Sequence, residues 1–512
     1  MLLLAASLPL SVYTTSVIQF LLIINWVLEG QYKEKWKRIR SSKVFLIYSV
    51  YFILHLAGML WTSDSAFGMK ILKIILPLII LPFLIVSSEA FSKKEIRNIL
   101  TLFISGTLIA SFASVLALSE AIPIKIEYFR TASIFVHHIR FSLMVVLSIM
   151  FAAYFLSKRI VKDNVYVRIL FWITIVWLPV FLFILKALSG IVIILVLLFI
   201  ISLQLATRIR EHTVRFMVQV MILFIPIFVI IYTGNAINRF YTIEQVDFSQ
   251  LDSVTIQGSP YVHDKHNKEI ENGRYVWIYI CPEELKSEWE KVSDLGYEEQ
   301  TESGDPVKFT LIRYLTSKGL RKDAAGISQL SEEDIKAIEN GVANYIYLNR
   351  FAFYPRIYQV IWEIDRYKLG HTANDKSLVQ RYYYMKAGFH IVKEHPVFGV
   401  GTGDGRIAYD RYYEKVNSSL RNDRRRMAHN QYLTLAIQFG FAGLLLCLLA
   451  IFLPIFVKRK WSSYMVQVFI ITMALSMLDE DTLASTTGAV MFGLFYALFV
   501  FGENWSWKEK EL

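Results

Sequence analysis

The stretch Arg381-Tyr-Tyr-Tyr-Met-Lys-Ala-Gly-Phe-His-Ile-Val-Lys-Glu-His-Pro-Val-Phe-Gly-Val-Gly-Thr-Gly-Asp404 is polar, basic and rich in glycine. A basic spacer follows, and His429-Asn430-Gln431-Tyr432-Leu433 then leads into an apolar run that lasts to Val457. The sequence therefore predicts that a polar segment feeds directly into a membrane helix, with His429 at the boundary between water and lipid. A histidine there can titrate near neutral pH and can face both a lipid-borne and a soluble partner.

Composition identifies the class of protein. The chain has 512 residues, of which 55% are hydrophobic and 15% aromatic, and its mean hydropathy is +0.42. That is too apolar for one soluble globule, and several apolar runs reach the roughly 20 residues needed to span a bilayer. With one cysteine in an apolar run and one in a polar region, Cys447 and Cys281, the sequence predicts neither a disulfide framework nor a zinc cluster.

Apolar runs predict the membrane topology. Residues 2–28 contain Pro9 and form either one kinked span or a hairpin with a short first limb. The other apolar runs lie at about 44–61, 70–88, 98–118, 139–156, 167–185, 188–206, 214–233, 430–457, 464–478 and 483–501. Together with residues 2–28 they make 11 clear runs, or about 12 spans if the hairpin forms. Basic loops are expected on the cytoplasmic side, so alternation places residues 234–428 outside.

The fold class follows from this pattern. We predict an all-α polytopic membrane protein with one large, mainly helical external domain before the last three spans. The expected domains are an N-terminal transmembrane bundle at 1–233, the external domain at 234–428, and C-terminal transmembrane helices with a short cytoplasmic tail at 429–512.

Local signals predict elements inside the external domain. Ser331-Glu-Glu-Asp334 is a capping box in front of an apolar-periodic run from Ile335 to Leu348. A second helix is expected from near Ser377 to a point before Pro396. The segment 242–310 is expected to be mixed, with turn signals such as Asn272-Gly273.

The order of the motifs is similar to that of one family. An arginine on an external helix, a Pro-x-x-Gly-x-Gly turn, and His-Asn-x-x-Leu leading into a helix with Gly440-Phe-Ala-Gly443 resemble the O-antigen ligase / O-antigen polymerase superfamily. His138-Ile-Arg-Phe-Ser-Leu143 and Arg313-Tyr-Leu-Thr-Ser-Lys-Gly-Leu-Arg-Lys-Asp323 are similar to ligase-type members from Bacteroidetes. The resemblance covers most of the chain, and it implies a bacterial inner-membrane protein with a periplasmic active site.

The resemblance also implies an activity. It is that of a glycosyltransferase that moves a glycan from undecaprenyl diphosphate to a sugar hydroxyl of lipid A–core or another glycan acceptor, with inversion and with neither metal nor cofactor. The expected partners are the donor, the acceptor and the lipid bilayer, and no binding of nucleic acid is expected. An O-antigen polymerase, whose acceptor is a second lipid-linked glycan, is the nearest alternative, but the large domain before the last spans favours a ligase. A transporter or flippase would show internal repeats, broken helices and ionisable groups near mid-membrane, and none is evident in the sequence.

His429 is the predicted general base, which would take the proton from the acceptor hydroxyl. The alternative is a histidine that lies in the interface or caps the next helix, and the His-Asn pair in its family context favours the base. Asn430 is predicted to orient the imidazole.

Three cations are candidates for binding the donor diphosphate. Arg381 can form paired hydrogen bonds with it, although an exposed helix arginine is the alternative. Arg140 lies in the first turn of an apolar span, where a charge is costly and usually has a partner, unless it extends to the interface. Many family members carry a Ser-Arg pair on the outer loop where this chain has Lys186-Ala-Leu-Ser-Gly190, so Lys186 or Arg140 would supply the missing charge.

Glycines and acidic residues complete the candidate set. Gly399, Gly401 and Gly403 allow a sharp turn and close backbone approach, and they are not a phosphate loop because no Gly-Lys-Ser/Thr follows. The adjacent carboxylates at 479–481 have the chemistry to bind a divalent ion, but we interpret them as a solvated loop and predict no metal site.

Overall fold

The fold is almost entirely helical. The computed structural model describes residues 1–118, 133–160, 164–185, 187–349, 352–374 and 377–502. Across these residues there are twenty α-helices and one two-stranded antiparallel sheet. The predicted all-α polytopic class is therefore confirmed.

The elements follow one another with short connections over much of the chain. They are α1 (Leu2–Ser7), α2 (Val12–Leu28), α3 (Tyr32–Ser41), α4 (Lys43–Ala57), α5 (Ser65–Ser87), α6 (Lys93–Leu118), α7 (His138–Ser157), α8 (Val165–Ile184), α9 (Leu188–Ala206), α10 (His212–Tyr241), β1 (Ile270–Glu271), β2 (Arg274–Tyr275), α11 (Pro282–Val292), α12 (Val307–Lys318), α13 (Ala324–Ile327), α14 (Glu332–Glu339), α15 (Tyr354–Lys368), α16 (Ser377–Glu394), α17 (Gly405–Lys415), α18 (Gln431–Val457), α19 (Tyr464–Asp479) and α20 (Thr486–Tyr496).

The apolar runs of the sequence become helices. Within the described ranges, eight helices are long and apolar enough to cross a membrane, namely α4 with the turn after it, α5 to α10, and α18. The remaining predicted runs form α2, which has 17 residues, and the shorter apolar helices α19 and α20. At the N-terminus, α1 ends before Pro9 and α2 begins at Val12, so residues 2–28 form two helices.

The chain divides into two compact units. One comprises Met1–Arg210 and Arg381–Leu512, and the other Glu211–Gln380. In the first unit, α5 packs against α20 and α4 packs against α18. The aromatic side chains of Phe495, Tyr496 and Phe499 are completely buried in this core, where they hold the last helix inside the bundle.

The structure confirms several local predictions for the segment between the two groups of apolar helices. Ser331 and Asp334 form the capping box at the start of α14, and α16 ends at Glu394, ahead of Pro396. Asn272 and Gly273 join β1 to β2 with φ angles of 47° and 76°, which is the geometry of a tight hairpin turn. The run from 335 to 348 does not form one helix: α14 ends at Glu339 and a 3-10 turn follows at 345–348.

Candidate active site

The glycine-rich turn after α16 is inserted at a break in α18. Gly440 has φ 65° and ψ −172°, so the helix is interrupted there and carbonyl groups before it lose their helical partners. The N–H groups of Val400 and Gly401 donate to the carbonyl oxygens of Ile437 (2.8 Å) and Gln438 (2.9 Å). In return, the N–H of residue 441 donates to the carbonyl of residue 396 at 2.8 Å. The turn therefore satisfies the backbone groups that the break exposes.

Two glycines of this turn leave no room for a side chain. A Cβ at Gly399 would lie 2.3 Å from the carbonyl carbon of Gln438, and one at Gly403 would lie 2.2 Å from the carbonyl oxygen of Asp64. Gly399 and Gly401 also have φ angles of 65° and 95°, which L side chains rarely adopt. The close backbone approach expected of these glycines is thus present in the structure.

The other side of the turn is bound to the end of α4 and to the connection between α4 and α5. The hydroxyl of Thr402 donates to the carbonyl of His55 at 2.6 Å. The Asp404 carboxylate accepts from the N–H groups of Ser63 (2.9 Å) and Asp64 (2.8 Å). Burial raises the pKa of Asp404, but these hydrogen bonds outweigh it and lower the pKa below its usual value. The turn thereby connects α18 to the start of α5.

Asn430 is the N-cap of α18. Its side-chain oxygen accepts from the N–H of Leu433 at 2.9 Å, and its amide nitrogen donates to the carbonyl of Leu478 at 3.0 Å. Both ends of the amide are thus engaged with backbone groups. The structure gives Asn430 a role in starting the helix immediately after His429, where the sequence had predicted a partner for the imidazole.

Glu480 brings His429 and Arg140 together. Its carboxylate oxygen lies 3.1 Å from a guanidinium nitrogen of Arg140 and 3.8 Å from Nδ1 of His429. The residue is only 7% exposed, so the interpretation of residues 479–481 as a solvated loop is wrong at its central position. Burial raises the pKa of Glu480, but His429 and Arg140 favour the charged form and hold the pKa below its usual value.

Arg140 is largely buried in this cluster. Its side chain is 14% exposed, and its Nε is buried with no hydrogen-bond partner in the described part of the chain. Burial and the charge of Arg140 together lower the pKa of the neighbouring His137. A buried guanidinium with an unused donor is a strong site for a further anionic group.

Arg381 forms an ion pair with Asp479, whose other oxygen accepts a hydrogen bond from the Ser189 hydroxyl at 2.6 Å. The two charged side chains are 41% and 37% exposed. Exposed ion pairs contribute little to stability, so an incoming anion can replace Asp479 at low cost. Lys186, the remaining predicted cation, lies outside the described residues.

Asp481 lies beside a mainly apolar cavity. The Thr434 hydroxyl donates to its carboxylate at 2.7 Å, and burial raises its pKa to about 6. The cavity has a volume of about 230 Å³ and is lined by side chains of α4, α5, α17 and α18, with Asp481 at one point of its wall and Lys70 at another.

The structure thus joins most of the predicted residues through one loop. His429 and Arg140 meet at Glu480, and Arg381 meets Asp479. Sequence reasoning assigned no role to Glu480, although a carboxylate between two apolar helices was a signal that it has a partner. Among the described residues, no group of three or more His, Cys, Asp or Glu side chains has the arrangement of a metal site.

Comparison with known families gives one match that overlaps this site. Residues 341–448 match the family model described as O-Antigen ligase. The matched segment contains Arg381, the glycine-rich turn, His429 and the break in α18. No curated protein matches the chain. The match confirms the resemblance to the O-antigen ligase superfamily.

Proposed function

We propose that this chain, a multi-pass membrane protein of the O-antigen ligase superfamily, is a glycosyltransferase of the ligase type. Its donor would be a glycan on undecaprenyl diphosphate, and its acceptor a sugar hydroxyl of lipid A–core. The observation that carries the proposal is the meeting of His429 and Arg140, from distant parts of the chain, on the buried carboxylate of Glu480.

His429 acts as the general base in this proposal. Its Nδ1 faces Glu480, so Nε2 is the ring atom that accepts the proton from the acceptor hydroxyl. The acceptor oxygen attacks the anomeric carbon while the bond from that carbon to the phosphate oxygen breaks, and the diphosphate leaves with the electron pair. Direct attack inverts the anomeric centre. The carboxylate of Glu480 stabilises the imidazolium that forms.

Positive side chains stabilise the leaving diphosphate. Arg381 exchanges Asp479 for a phosphate oxygen, with which its planar guanidinium forms paired hydrogen bonds. Arg140, which is paired with Glu480, adds its positive charge to the same site, and Lys186 or Lys70 adds a further cation. A diphosphate is a good leaving group, so charge stabilisation by these residues suffices for the reaction. The cavity that Lys70 lines offers an apolar wall for the lipid part of the donor.

The basic loops support a site on the periplasmic face of the bacterial inner membrane. Loops 207–215 and 458–460 carry clustered Lys and Arg, and cytoplasmic loops are enriched in these residues. The segment with His429 is separated by one span from the second of these loops, and so lies on the opposite side.

The surface glycolipids of a deletion strain test the proposal. A ligase predicts that long chains disappear from lipid A–core while the lipid-linked polymer is still made. Loss of the lipid-linked polymer itself would instead identify a polymerase, and loss of the long chains with donor retained in the inner leaflet would identify a flippase.

A further inference from the structure

A short basic helix follows the first long apolar helix of the chain. After α2 the chain changes direction by 112°, and α3 follows as Tyr32-Lys-Glu-Lys-Trp-Lys-Arg-Ile-Arg-Ser41. Five of these residues are Lys or Arg and one is Glu, so the helix carries a net charge of +4. Relative to an α2 that crosses the bilayer, a bend of this size directs α3 along the membrane surface, where amphipathic helices with basic faces bind.

The inner side of α3 is anchored in the protein. Lys35 is buried, and its ammonium group forms an ion pair with Glu29 at 2.9 Å and donates to the carbonyl of Trp26 at 2.7 Å. The same ammonium group lies 4.7 Å from the centre of the Trp26 ring. Ile39, one turn further along, is buried in the apolar core of the first unit. These contacts hold one side of the helix against the bundle.

A second anchor joins α3 to the end of α5. Nη1 of Arg38 donates to the carbonyl of Ser87 at 3.1 Å, and Nη2 lies 3.6 Å from the carboxylate of Glu89. The hydroxyl of Ser87 also accepts from the indole N–H of Trp26 at 2.8 Å. The contacts of Lys35 and Arg38 therefore fix the rotation of α3 about its axis, and with it the direction of the remaining side chains.

The outer side of α3 carries three cations. Lys33, Lys37 and Arg40 are spaced by four and three residues, which places them on one face of the helix. All three are exposed, and their side chains form no hydrogen bond or ion pair with any described residue. Glu34, the carboxylate of this helix, is likewise in no ion pair with a described residue. We refer to Lys33, Lys37 and Arg40 as the cationic stripe.

Two aromatic side chains border the cationic stripe. Trp36 and Tyr32 are 54% and 52% exposed, and they lie between the stripe and the buried side of the helix. The guanidinium of Arg40 lies over the Trp36 ring, 5.6 Å from its centre, which restricts the motion of this cation. Trp and Tyr are enriched where lipid meets water. Exposed aromatic residues beside unpaired cations are therefore complementary to a negatively charged lipid surface.

We propose that the cationic stripe binds the headgroups of anionic phospholipids in the adjacent leaflet, which is expected to be the cytoplasmic one. The anchors at Lys35 and Arg38 hold the stripe in place before lipid binds, so little backbone entropy is lost on binding. Each Lys or Arg near an anionic surface strengthens attachment by about fivefold. The inference goes beyond the proposed function, and its test requires no glycan transfer.

The test measures which lipids surround α3. The full chain with Ser41→Cys is labelled with a fluorophore at this exposed position, because Cys281 and Cys447 are buried. It is placed in phosphatidylcholine nanodiscs that contain a small fraction of spin-labelled lipid, either phosphatidylglycerol or phosphatidylcholine with the same acyl chains. Quenching by each lipid reports its local concentration. At low salt we expect phosphatidylglycerol to be enriched over phosphatidylcholine by about fivefold or more, and the enrichment to disappear in about 1 M sodium chloride.

Variants of the cationic stripe test its role. In the labelled chain, Lys33→Gln/Lys37→Gln/Arg40→Gln should bring the ratio of the two lipids to within about twofold of one. The charge-conserving variant Lys33→Arg/Lys37→Arg/Arg40→Lys should keep the enrichment. Because these side chains are exposed, the thermal midpoint of the Gln variant in phosphatidylcholine should equal that of the parent chain, which shows that the variant is folded. Enrichment that persists in this folded variant would overturn the proposal.

A matched control removes three exposed cations elsewhere. Lys286→Gln/Lys336→Gln/Arg356→Gln changes the net charge equally and should leave the enrichment unchanged. An equal loss in the control would assign the enrichment to overall charge and overturn the proposal. Absence of enrichment in the parent chain at low salt would also overturn it, and would leave the stripe to an acidic protein. Displacement of the lipid by inorganic phosphate, but not by sodium chloride at equal ionic strength, would identify a site for a soluble anion instead.

Discussion

Gly440→Ala tests how the site is built. The glycine interrupts α18 with φ 65° and ψ −172°, a conformation that is essentially confined to glycine. A Cβ at this position would lie 2.3 Å from the carbonyl oxygen of Val397 and 2.6 Å from that of Pro396. Both oxygens belong to the backbone of the glycine-rich turn, so no side-chain rotation relieves the overlap. Either the turn moves away or the helix straightens.

The expected loss of stability follows from two contributions. The backbone conformation costs a non-glycine residue about 1–3 kcal/mol. Displacing the turn also breaks three backbone hydrogen bonds between residues 396–401 and 437–441, each with a net value of about 0.5–1.5 kcal/mol. Together these give a loss of about 2.5–7.5 kcal/mol. The entropy of unfolding of a 512-residue chain is about 1.1 kcal/mol/K, so we expect the thermal midpoint to fall by about 2–7 °C.

The assay is thermal unfolding of the purified protein in detergent, with glycan transfer measured well below the midpoint. Gly405→Ala is the matched control, because it begins α17 beside the same turn and its added Cβ would meet only the Met427 sulfur, at 3.9 Å. This control should change stability by no more than about 1 kcal/mol, since alanine is the better helix former. If the thermal midpoint of Gly440→Ala equals that of Gly405→Ala and glycan transfer is fully retained, the turn does not depend on the break in α18.

Three further predictions concern the charged loop. Arg381→Lys keeps the charge but loses the planar guanidinium, so donor affinity should fall roughly tenfold in a direct binding assay, and unchanged binding would make Arg381 a surface residue. Glu480→Gln leaves the buried Arg140 unpaired, so we expect the free energy of unfolding to fall by about 3 kcal/mol and kcat to fall roughly tenfold or more. Wild-type values in both measurements would refute the role of Glu480. Asp481→Asn concerns pH: the folded-state pKa of about 6 lies above the usual 3.8, so the contribution of this carboxyl group to wild-type stability should decline as pH rises from about 4 to about 6. The Asn variant can still accept the hydrogen bond from Thr434, and it should lack that decline. Its free energy of unfolding should exceed that of wild type by about 3 kcal/mol at pH 8 and should equal it at pH 4. Parallel pH profiles of the two proteins would contradict the raised pKa.

Local patterns in the sequence were sufficient to predict most of the fold. Apolar length predicts the spanning helices because each must bury its own backbone hydrogen bonds in lipid. The capping box at Ser331 and the Asn272-Gly273 turn depend only on neighbouring residues, and both are present as predicted.

Contacts between distant residues could not be predicted in this way. The break at Gly440 lies inside a continuous apolar run, where a Gly-x-x-Gly pattern also fits an unbroken helix at a packed interface. Its conformation depends on the turn at 396–401, which lies well upstream in the chain.

The same reason explains why the carboxylates were interpreted as a solvated loop. Residues 479–481 are adjacent acidic residues at a helix end, and nothing nearby in the sequence neutralises them. Their partners come from α7, α16 and the segment before α18, which only the folded chain brings together. Asn430 is a similar case, since its hydrogen bond to Leu478 depends on the position of α19.

The most direct test of the central claim is the turnover of His429→Ala in nanodiscs, with donor binding measured on the same samples. If His429 is the general base, the rate of transfer should fall roughly 10²–10⁴-fold while donor affinity stays nearly unchanged. His395→Ala, an exposed histidine in the same matched segment, should behave as wild type. Near-normal turnover in well-folded His429→Ala would contradict the mechanism and leave His429 as a residue of the membrane interface.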